Sequence, residues 1–405
     1  MKRYLFVLIL ALFSCSTGAQ SVQHIRFGSS SDPLNGLTIT WQSKGTADRI
    51  RWGYTSVCEK GESAGIVRSG YTDNLFDYAF SSPAANAVIY YKIYDSHLRT
   101  WTAVKTFKTA SPVTTNNYSF IAFGDSRSFM ADWKKTSDAA NTRDVDMVLF
   151  TGDTVADGSN NSAWDNWFDH GKSFMENKLI YYTIGNCELK NNGEAKYINN
   201  FIMPLNPSNS KLYYSFNYGD ALFICLNSFD AKSATQLDWL VNTLKNTTRT
   251  WKFVLFHQPF FTTTEDAGQM DPFLNTWWKA FDDYGVDMIF NGHNHCYERS
   301  KPINRNISST APVAEYGSCA NQGRCEIACG RAGAPPSQTI KPGWFVEISK
   351  ADLHYTLIKV NGRTLTCEAY DASNLLFDRF SITKSSCAGS KSGDFAEKVR
   401  YRKHP

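Results

Sequence analysis

The sequence lacks the features that mark a nucleic-acid-binding or membrane-spanning protein. Its 405 residues contain no run of lysine and arginine long enough to follow a phosphate backbone, and the formal net charge is only +4. No apolar run reaches the roughly 20 residues that a transmembrane helix requires. We therefore expect neither a nucleic-acid partner nor a transmembrane span, and the sequence indicates no particular oligomeric state.

The first residues have the pattern of an export signal. A positively charged start precedes a short apolar core over residues 4–13, and small residues offer a cleavage site after Ala19. We therefore predict a signal peptide over residues 1–19 and a secreted or periplasmic protein. The alternative is a lipoprotein anchored at Cys15, because the residues before it also resemble a lipoprotein cleavage box.

The ten cysteines do not form a thiolate metal cage. Export exposes a chain to oxidising conditions, and Cys319, Cys325 and Cys329 fall in one glycine-rich segment where a local disulfide closes easily. Loss of Cys15 with the signal would leave an odd number, so at least one thiol is expected to be free or shielded. Cys225 lies in an apolar run and is most simply a buried side chain.

The pattern of the chain changes near residue 110. From about residue 20 to 110, short β-rich runs recur between turn residues, which predicts an all-β sandwich with a supporting or binding role. Over residues 117–385, apolar runs alternate with helical patterns, which predicts an α/β (α+β) domain of mixed sheets flanked by helices. The polar segment 386–405 has the composition of a flexible tail. Helices are expected at 131–141, 164–176, 233–244 and 272–284.

Five apolar runs of the second domain each end at side chains that can bind a metal ion. These side chains are Asp125, Asp153, Asn186, His257 and the pair His293 and His295. Because they follow strands, we expect them to meet along one edge of a sheet. Carboxylates and imidazoles suit iron, zinc or manganese. Two such ions about 3.5–4 Å apart, sharing one carboxylate, are typical of metal-assisted hydrolysis of phosphate esters.

The blocks around these residues resemble those of the calcineurin-like metallophosphoesterases, and most closely those of the purple acid phosphatases. They occur in the family's order and read Gly124-Asp125, Gly152-Asp153, Gly185-Asn186-Cys187-Glu188, Val254-x-x-His257 and Gly292-His293-Asn294-His295-Cys296-Tyr297-Glu298-Arg299. The first sandwich also resembles the fibronectin type III-like domain of that family. The resemblance therefore covers nearly the whole mature chain.

This resemblance implies a site for two metal ions and a hydrolase acting on a small phosphorylated substrate. The first ion would be held by Asp125, Asp153 and His295, and the second by Asp153, Asn186, His257 and His293, with Asp153 bridging. A hydroxide held by the metals would attack a phosphate monoester. The alternatives are a phosphodiesterase of the same superfamily and a catalytically impaired metal-binding protein.

Three positions depart from the purple acid phosphatase pattern. Ala156 replaces a metal-binding tyrosine that gives the family its colour, so we predict a colourless protein. The adjacent Asp157 either supplies an oxygen ligand to the metal instead or is a solvated loop carboxylate. Cys187 replaces a histidine that contacts the substrate and helps to protonate the leaving group, and a thiol is a poor substitute near neutral pH. Arg127 replaces a glycine, and its guanidinium either clamps phosphate or forms a surface ion pair.

Overall fold

The structure is a computed structural model that describes residues 21–70, 72–337 and 343–384. The predicted signal peptide, Cys15 and the predicted tail lie outside these residues. Within the described ranges, no helix combines the length and the apolar character needed to cross a bilayer.

The first part of the chain is all-β, as expected. Its strands are β1 (Gln23–Ser29), β2 (Leu37–Ser43), β3 (Arg49–Gly53), β4 (Gly61–Ala64), β5 (Ile66–Ser69), β6 (Asn74–Ala79), β7 (Val88–Asp95), β8 (Thr100–Trp101) and β9 (Lys105–Lys108). One antiparallel sheet has the order β1-β2-β6-β5 and the other has the order β4-β3-β7-β8, with β9 also paired to β7. Phe27 of the first sheet packs on Tyr91 and Phe107 of the second, so the two sheets share a core.

The second part contains two mixed sheets. Its strands are β10 (Asn117–Phe123), β11 (Met147–Phe150), β12 (Ile180–Tyr182), β13 (Tyr214–Tyr218), β14 (Ala221–Cys225), β15 (Trp251–Leu255), β16 (Met288–Asn291), β17 (Tyr297–Ser300), β18 (Cys325–Cys329), β19 (Val346–Lys350), β20 (His354–Asn361), β21 (Thr364–Asp371) and β22 (Leu376–Thr383). Among the described residues, one sheet has the order β12-β11-β10-β20-β21-β22 and the other β13-β14-β15-β16-β18-β17-β19. Strands β10, β11 and β12 run parallel, and so do β14, β15, β16 and β18.

Aromatic side chains join these two sheets face to face. The ring of Phe120 on β10 lies 5.2–5.8 Å from the rings of Phe223, Phe253 and Phe290 on the other sheet. All four side chains are buried. The inner faces of these strands therefore cover each other, while Val254 and Ile289 on the opposite face pack in a second buried cluster with Phe281. Cover on both faces explains why these strands are mostly apolar.

The helices are α1 (Met130–Asn141), α2 (Asn161–His170), α3 (Lys172–Met175), α4 (Asn186–Leu189), α5 (Glu194–Asn200), α6 (Ala234–Asn246) and α7 (Lys279–Asp283). The predicted helices 131–141 and 233–244 agree with α1 and α6 to within two residues. The predicted helix 164–176 is divided at Gly171, where a Cβ atom would lie 2.7 Å from the Trp133 ring. The predicted helix 272–284 is mostly irregular, with a 3₁₀ turn at Asp271–Phe273 and a π turn at Leu274–Trp278 before α7.

The expected disulfide within the glycine-rich segment does not form. Residues Cys325 to Cys329 are a buried strand, and the thiols of Cys325 and Cys329 are both free. Cys319 is disulfide-bonded, but not to either of them. Cys225 is free and buried, as expected. The prediction was wrong because the glycines on either side of this segment suggested a loop, whereas the apolar residues between them form a strand.

The first sandwich contacts the outer edge of the six-stranded sheet. Phe27 forms an isolated parallel bridge with Leu179, just before β12. The Tyr181 hydroxyl on β12 donates a hydrogen bond to the Ser31 carbonyl over 2.8 Å, and Lys105 forms an ion pair with Glu176 at 2.6 Å. The N-terminal sheets therefore lie against the strand that leads to Asn186.

Candidate metal centre

The six predicted metal-binding side chains come together at the carboxyl ends of strands from both sheets. Asp125, Asp153 and Asn186 follow β10, β11 and β12, whereas the histidines follow β15 and β16. We had expected all six side chains to lie at one edge of a single sheet. The structure corrects this expectation, because the site lies between the strand ends of two facing sheets. Hydrogen bonds and short contacts, described next, connect all six side chains.

Three of these residues have an unusual backbone conformation. The φ angles of Asp125, Asp153 and His293 are 53°, 53° and 67°, in the left-handed region that side chains other than glycine seldom adopt. Each such residue costs about 1–3 kcal/mol, and such strain concentrates at functional sites. The preceding Gly152 has a φ of 94°, and a Cβ atom there would lie 2.6 Å from the His257 ring. The strand ends are thus bent so that their side chains converge.

One group of donor atoms already has the spacing of a metal site. Asn186 Oδ1 lies 3.0 Å from both His257 Nε2 and His293 Nδ1, and these two nitrogens are 3.3 Å apart. Asp153 Oδ1 lies 3.4 Å from His257 Nε2. Ligand bonds of about 2.0–2.1 Å place neighbouring donor atoms roughly 3–3.4 Å apart around one ion. Asn186, His257 and His293 therefore have the spacing of ligands to one ion, and Asp153, which the resemblance assigns to the same ion, lies beside His257.

The hydrogen bonds around these side chains leave lone pairs of their donor atoms directed toward the proposed metal position. The Thr151 carbonyl accepts from His257 Nδ1 at 2.8 Å, which places the proton on that nitrogen and leaves Nε2 as an acceptor. Burial lowers the pKa of His257 to about 4, so the ring is neutral at neutral pH. Asp266 Oδ1 lies 3.5 Å from His293 Nε2, behind the ring. His257 Nε2 and Asn186 Oδ1 are then two acceptors 3.0 Å apart, and a cation between them would stabilise this arrangement.

The residues assigned to the first metal ion have a different environment. Asp125 Oδ1 lies 3.6 Å from His295 Nε2, and both Asp125 oxygens accept from the His293 backbone N–H. The guanidinium of Arg127 donates from Nε to Asp153 Oδ2 at 2.8 Å, and its Nη2 lies 3.0 Å from His295 Nε2. Arg127 is therefore paired with a buried carboxylate and does not form the surface ion pair considered from the sequence.

Burial and charge act together on these groups. Burial, and then the neighbouring Asp153, raise the pKa of Asp125 well above its usual value. Burial, and then the positive charge of Arg127, lower the pKa of His295 to about 4. Donor atoms of Asp125, Asp153 and His257 all lie within 4.8 Å of one another. Two carboxylates at this spacing in a buried site require compensating positive charge, which Arg127 supplies only in part.

Glu188 is a site residue to which the sequence assigned no role. Its buried carboxylate accepts from the backbone N–H groups of Gly185, Asp153, Thr154 and Val155 at 2.7–3.3 Å, and from the Thr154 hydroxyl at 2.5 Å. Burial and the charge of Asp153 raise its pKa to about 7. Glu188 thus ties together the two loops that carry Asp153 and Asn186. Its position in the Gly-Asn-Cys-Glu block was the only signal for it.

Cys187 is buried, and its backbone N–H donates to Asp153 Oδ1 at 2.9 Å. Its sulfur accepts from Lys190 Nζ at 3.1 Å, and Lys190 also donates to the Ala156 carbonyl at 3.2 Å. Burial raises the pKa of the Cys187 thiol above its usual value, so it stays protonated. Lys190 therefore places an ammonium group beside both Cys187 and Ala156, a contact that no sequence pattern indicated.

Asp157 is engaged in its own loop. One carboxylate oxygen accepts from the Ser159 backbone and hydroxyl at 2.9 and 2.8 Å, and the other accepts from the Asn191 amide at 2.6 Å. These bonds match the solvated loop carboxylate considered from the sequence.

The two-sheet sandwich with carboxylate, amide and imidazole groups at its strand ends defines a metallophosphoesterase of the calcineurin-like class. Residues 97–297 match the family model for calcineurin-like phosphoesterases. Over 167 residues the chain is 35% identical to purple acid phosphatase 15 of Arabidopsis thaliana, covering 37% of this chain and 31% of that protein. Over 179 residues it is 31% identical to Fe(3+)-Zn(2+) purple acid phosphatase 12 of the same plant, covering 38% and 37%. Together these matches support, more particularly, a purple acid phosphatase-like metallophosphoesterase.

A solved structure supports the fold over most of the chain. The purple acid phosphatase PPD1 from yellow lupin (Lupinus luteus) superposes with a TM-score of 0.75 at 17% identity, covering 90% of this chain and 74% of that one. The predicted fold class is therefore confirmed. The matched segments span only about a third of the two Arabidopsis relatives. The donor set and the family together indicate a centre for two metal ions, of a kind that iron, zinc or manganese would suit.

Proposed function

We propose that the protein hydrolyses phosphate monoesters at this metal centre. The observation that supports the proposal is the close spacing of Asn186, His257 and His293, with Asp153 beside His257, which is the spacing expected of ligands to one metal ion. Bound metal ions supply Lewis acidity and lower the pKa of coordinated water, which is the chemistry that phosphate hydrolysis needs. The names of the relatives, among them a phosphoenolpyruvate phosphatase of Allium cepa, are consistent with this activity.

Arg127 and Cys187 would then shape the choice of substrate. The Arg127 side chain is 21% exposed at the site, so its guanidinium can reach a bound phosphate group. The Cys187 thiol holds its proton tightly and replaces a stronger acid, and the loss of one general acid costs about 10²–10⁴-fold in rate. We therefore propose a preference for substrates whose leaving group needs no protonation, such as aryl phosphates.

The test is hydrolysis of an aryl phosphate monoester by protein reconstituted with zinc, manganese or iron, with an aryl diester in parallel. The expected result is metal-dependent monoester hydrolysis that is lost in Asn186→Ala. The matched control is His170→Ala, because His170 bonds only to the Asn166 carbonyl of its own helix. A greater rate on the diester would support the phosphodiesterase alternative, for which Cys187 and Arg127 are the motivating features. Activity that survives Asn186→Ala would refute the proposed site.

A second candidate function is that of a metal-binding protein with impaired catalysis. Ala156 and Cys187 motivate it, because each replaces a reactive side chain with a less reactive one. Stoichiometric metal uptake without hydrolysis of either ester would select this alternative. Absence of metal uptake under any loading condition would refute both functions.

We further propose that the protein is exported and divided as its sequence suggests, with a sandwich over residues 20–110 that supports a metallophosphoesterase domain over 117–385. The motivating feature for export is the charged and apolar start of the chain. The intact mass of protein from an extracytoplasmic fraction distinguishes cleavage after Ala19 from lipidation at Cys15. An unprocessed amino terminus would exclude both.

A further inference from the structure

We propose that Arg127 makes the two metal positions unequal: its guanidinium competes with a metal ion for the Asp153 and His295 atoms of the first position, so the second position fills first. The inference rests on the metal centre of the proposed function but not on turnover. It assigns Arg127 a role in metal loading in addition to the phosphate contact proposed above.

The contacts of Arg127 use the atoms that a first metal ion needs. Asp153 Oδ2 accepts from Arg127 Nε at 2.8 Å, and His295 Nε2 lies 3.0 Å from Arg127 Nη2. Asp153 Oδ1, by contrast, faces His257 Nε2 at 3.4 Å. The two oxygens of Asp153 are thus divided, one toward the guanidinium and one toward the second position. A metal ion entering the first position must take Oδ2 and the His295 nitrogen from Arg127.

The loop that carries Arg127 is fixed, so the side chain must move by itself. The Asp125 carbonyl accepts from the backbone N–H groups of Gly333 and Ala334 at 3.0 and 2.9 Å. Buried Ser126 donates to the Thr154 carbonyl at 3.0 Å and accepts from the Trp167 indole at 2.6 Å. The backbone around Arg127 therefore cannot withdraw without breaking these bonds. Displacement requires rotation of the Arg127 side chain toward solvent.

The two positions also differ in charge. No lysine or arginine contact is found among the described residues for Asn186 Oδ1, His257 Nε2 or His293 Nδ1, whose partners are one another. At the first position, a divalent ion must either displace the guanidinium from Asp153 and His295 or bind against its positive charge. Even with an effective dielectric constant of about 20, that repulsion weakens binding by more than about tenfold.

Loading of the first position and binding of phosphate should therefore be coupled. A guanidinium that yields Asp153 Oδ2 to a metal ion loses its carboxylate partner. A phosphate group bound at the centre offers a replacement with suitable bidentate geometry. Because coupling between two ligands is reciprocal, phosphate should raise the affinity for the second equivalent of metal.

The test is calorimetric titration of metal-free protein with Mn²⁺, with electron paramagnetic resonance to detect coupled pairs of ions. For the wild type we expect one tight equivalent and a second that is at least about tenfold weaker and is strengthened by inorganic phosphate. Arg127→Gly should strengthen only the second equivalent by about tenfold or more, whereas Arg127→Lys, which keeps the charge, should not. Arg51→Ala on the N-terminal sandwich is the matched control, and circular dichroism checks that each variant folds.

Other results would overturn the inference in distinguishable ways. Two equivalents of equal affinity in the wild type, or an unchanged second equivalent in Arg127→Gly, would overturn it while leaving the proposed function intact. Loss of the tight equivalent in Arg127→Gly would show that the guanidinium supports the site and would also overturn it. Absence of metal uptake in every protein would overturn both. Metal uptake with the expected inequality but without hydrolysis would support the inference and refute only the proposed activity.

Discussion

The substitution Glu188→Gln tests whether the metal centre depends on a carboxylate outside the six predicted ligands. Glu188 receives five hydrogen bonds, from four backbone N–H groups and the Thr154 hydroxyl. One oxygen serves Asp153 and Gly185, and the other serves Thr154 and Val155. Glutamine has nearly the same shape but presents an NH₂ group in place of one oxygen. Whichever oxygen the NH₂ group replaces, two backbone N–H groups then face this NH₂ group and have no acceptor.

The expected cost follows from the number of donors left without an acceptor. An unpaired buried donor costs about 1–3 kcal/mol, so two such groups lower the free energy of unfolding by about 2–6 kcal/mol. Relief of the repulsion between Glu188 and Asp153 offsets a small part of this cost. Metal affinity should fall as well, because Glu188 positions the backbone at Asp153 and just before Asn186.

Urea unfolding measures the change in stability, and metal titration measures the change in metal affinity. Both are done at pH 8, where Glu188, with a pKa of about 7, is ionised. Glu347→Gln is the matched control, since Glu347 is an exposed carboxylate on β19. Equal stability of the two variants, together with unchanged metal affinity of Glu188→Gln, would refute the positioning role of Glu188.

Three further predictions concern pH, the leaving group and the metal. Burial lowers the pKa of His354 from 6.5 to about 4, so between these pH values only the unfolded chain binds the proton, and the free energy of unfolding falls as the pH drops. In His354→Gln, urea unfolding at pH 7 and pH 5 should show a smaller difference in the free energy of unfolding. An unchanged difference would contradict this prediction. Cys187→His should raise kcat on alkyl phosphates more than on aryl phosphates by restoring a general acid, and equal effects would argue against limiting protonation. Zinc at 100 times its Kd should stabilise the wild type by about 2.7 kcal/mol, raising Tm by several degrees, whereas His257→Ala should show little shift in thermal unfolding.

The parts of the molecule predicted from the sequence are those where local pattern and environment agree. The central strands β10, β15 and β16 lie in mostly apolar runs that are followed by Asp125, His257 and Gly292, so both their existence and their ends were recognisable. Helix α6 was recognisable from its apolar period and from Ser233, whose side chain caps it.

Other features depend on contacts between distant residues, which a sequence pattern does not encode. Nothing in the sequence places Glu188 under the loop of Asp153 or Asp266 behind His293. The irregular helix before α7 buries Trp277 and Trp278, and packing there overrides a regular helical period. The pairing of Arg127 with Asp153 was likewise not predicted, because it depends on the bend at Asp125.

The contact between the N-terminal sandwich and β12 bears on how the chain can be divided. Strand β12 is the last strand of its sheet, and its three side chains are buried. An uncovered apolar strand at the border of a sheet is a template for pairing with another molecule. A fragment starting at residue 111 would carry such a strand, and we expect it to self-associate in light-scattering measurements where the longer chain does not. By covering β12, the sandwich would therefore prevent aggregation of the domain that carries the metal centre.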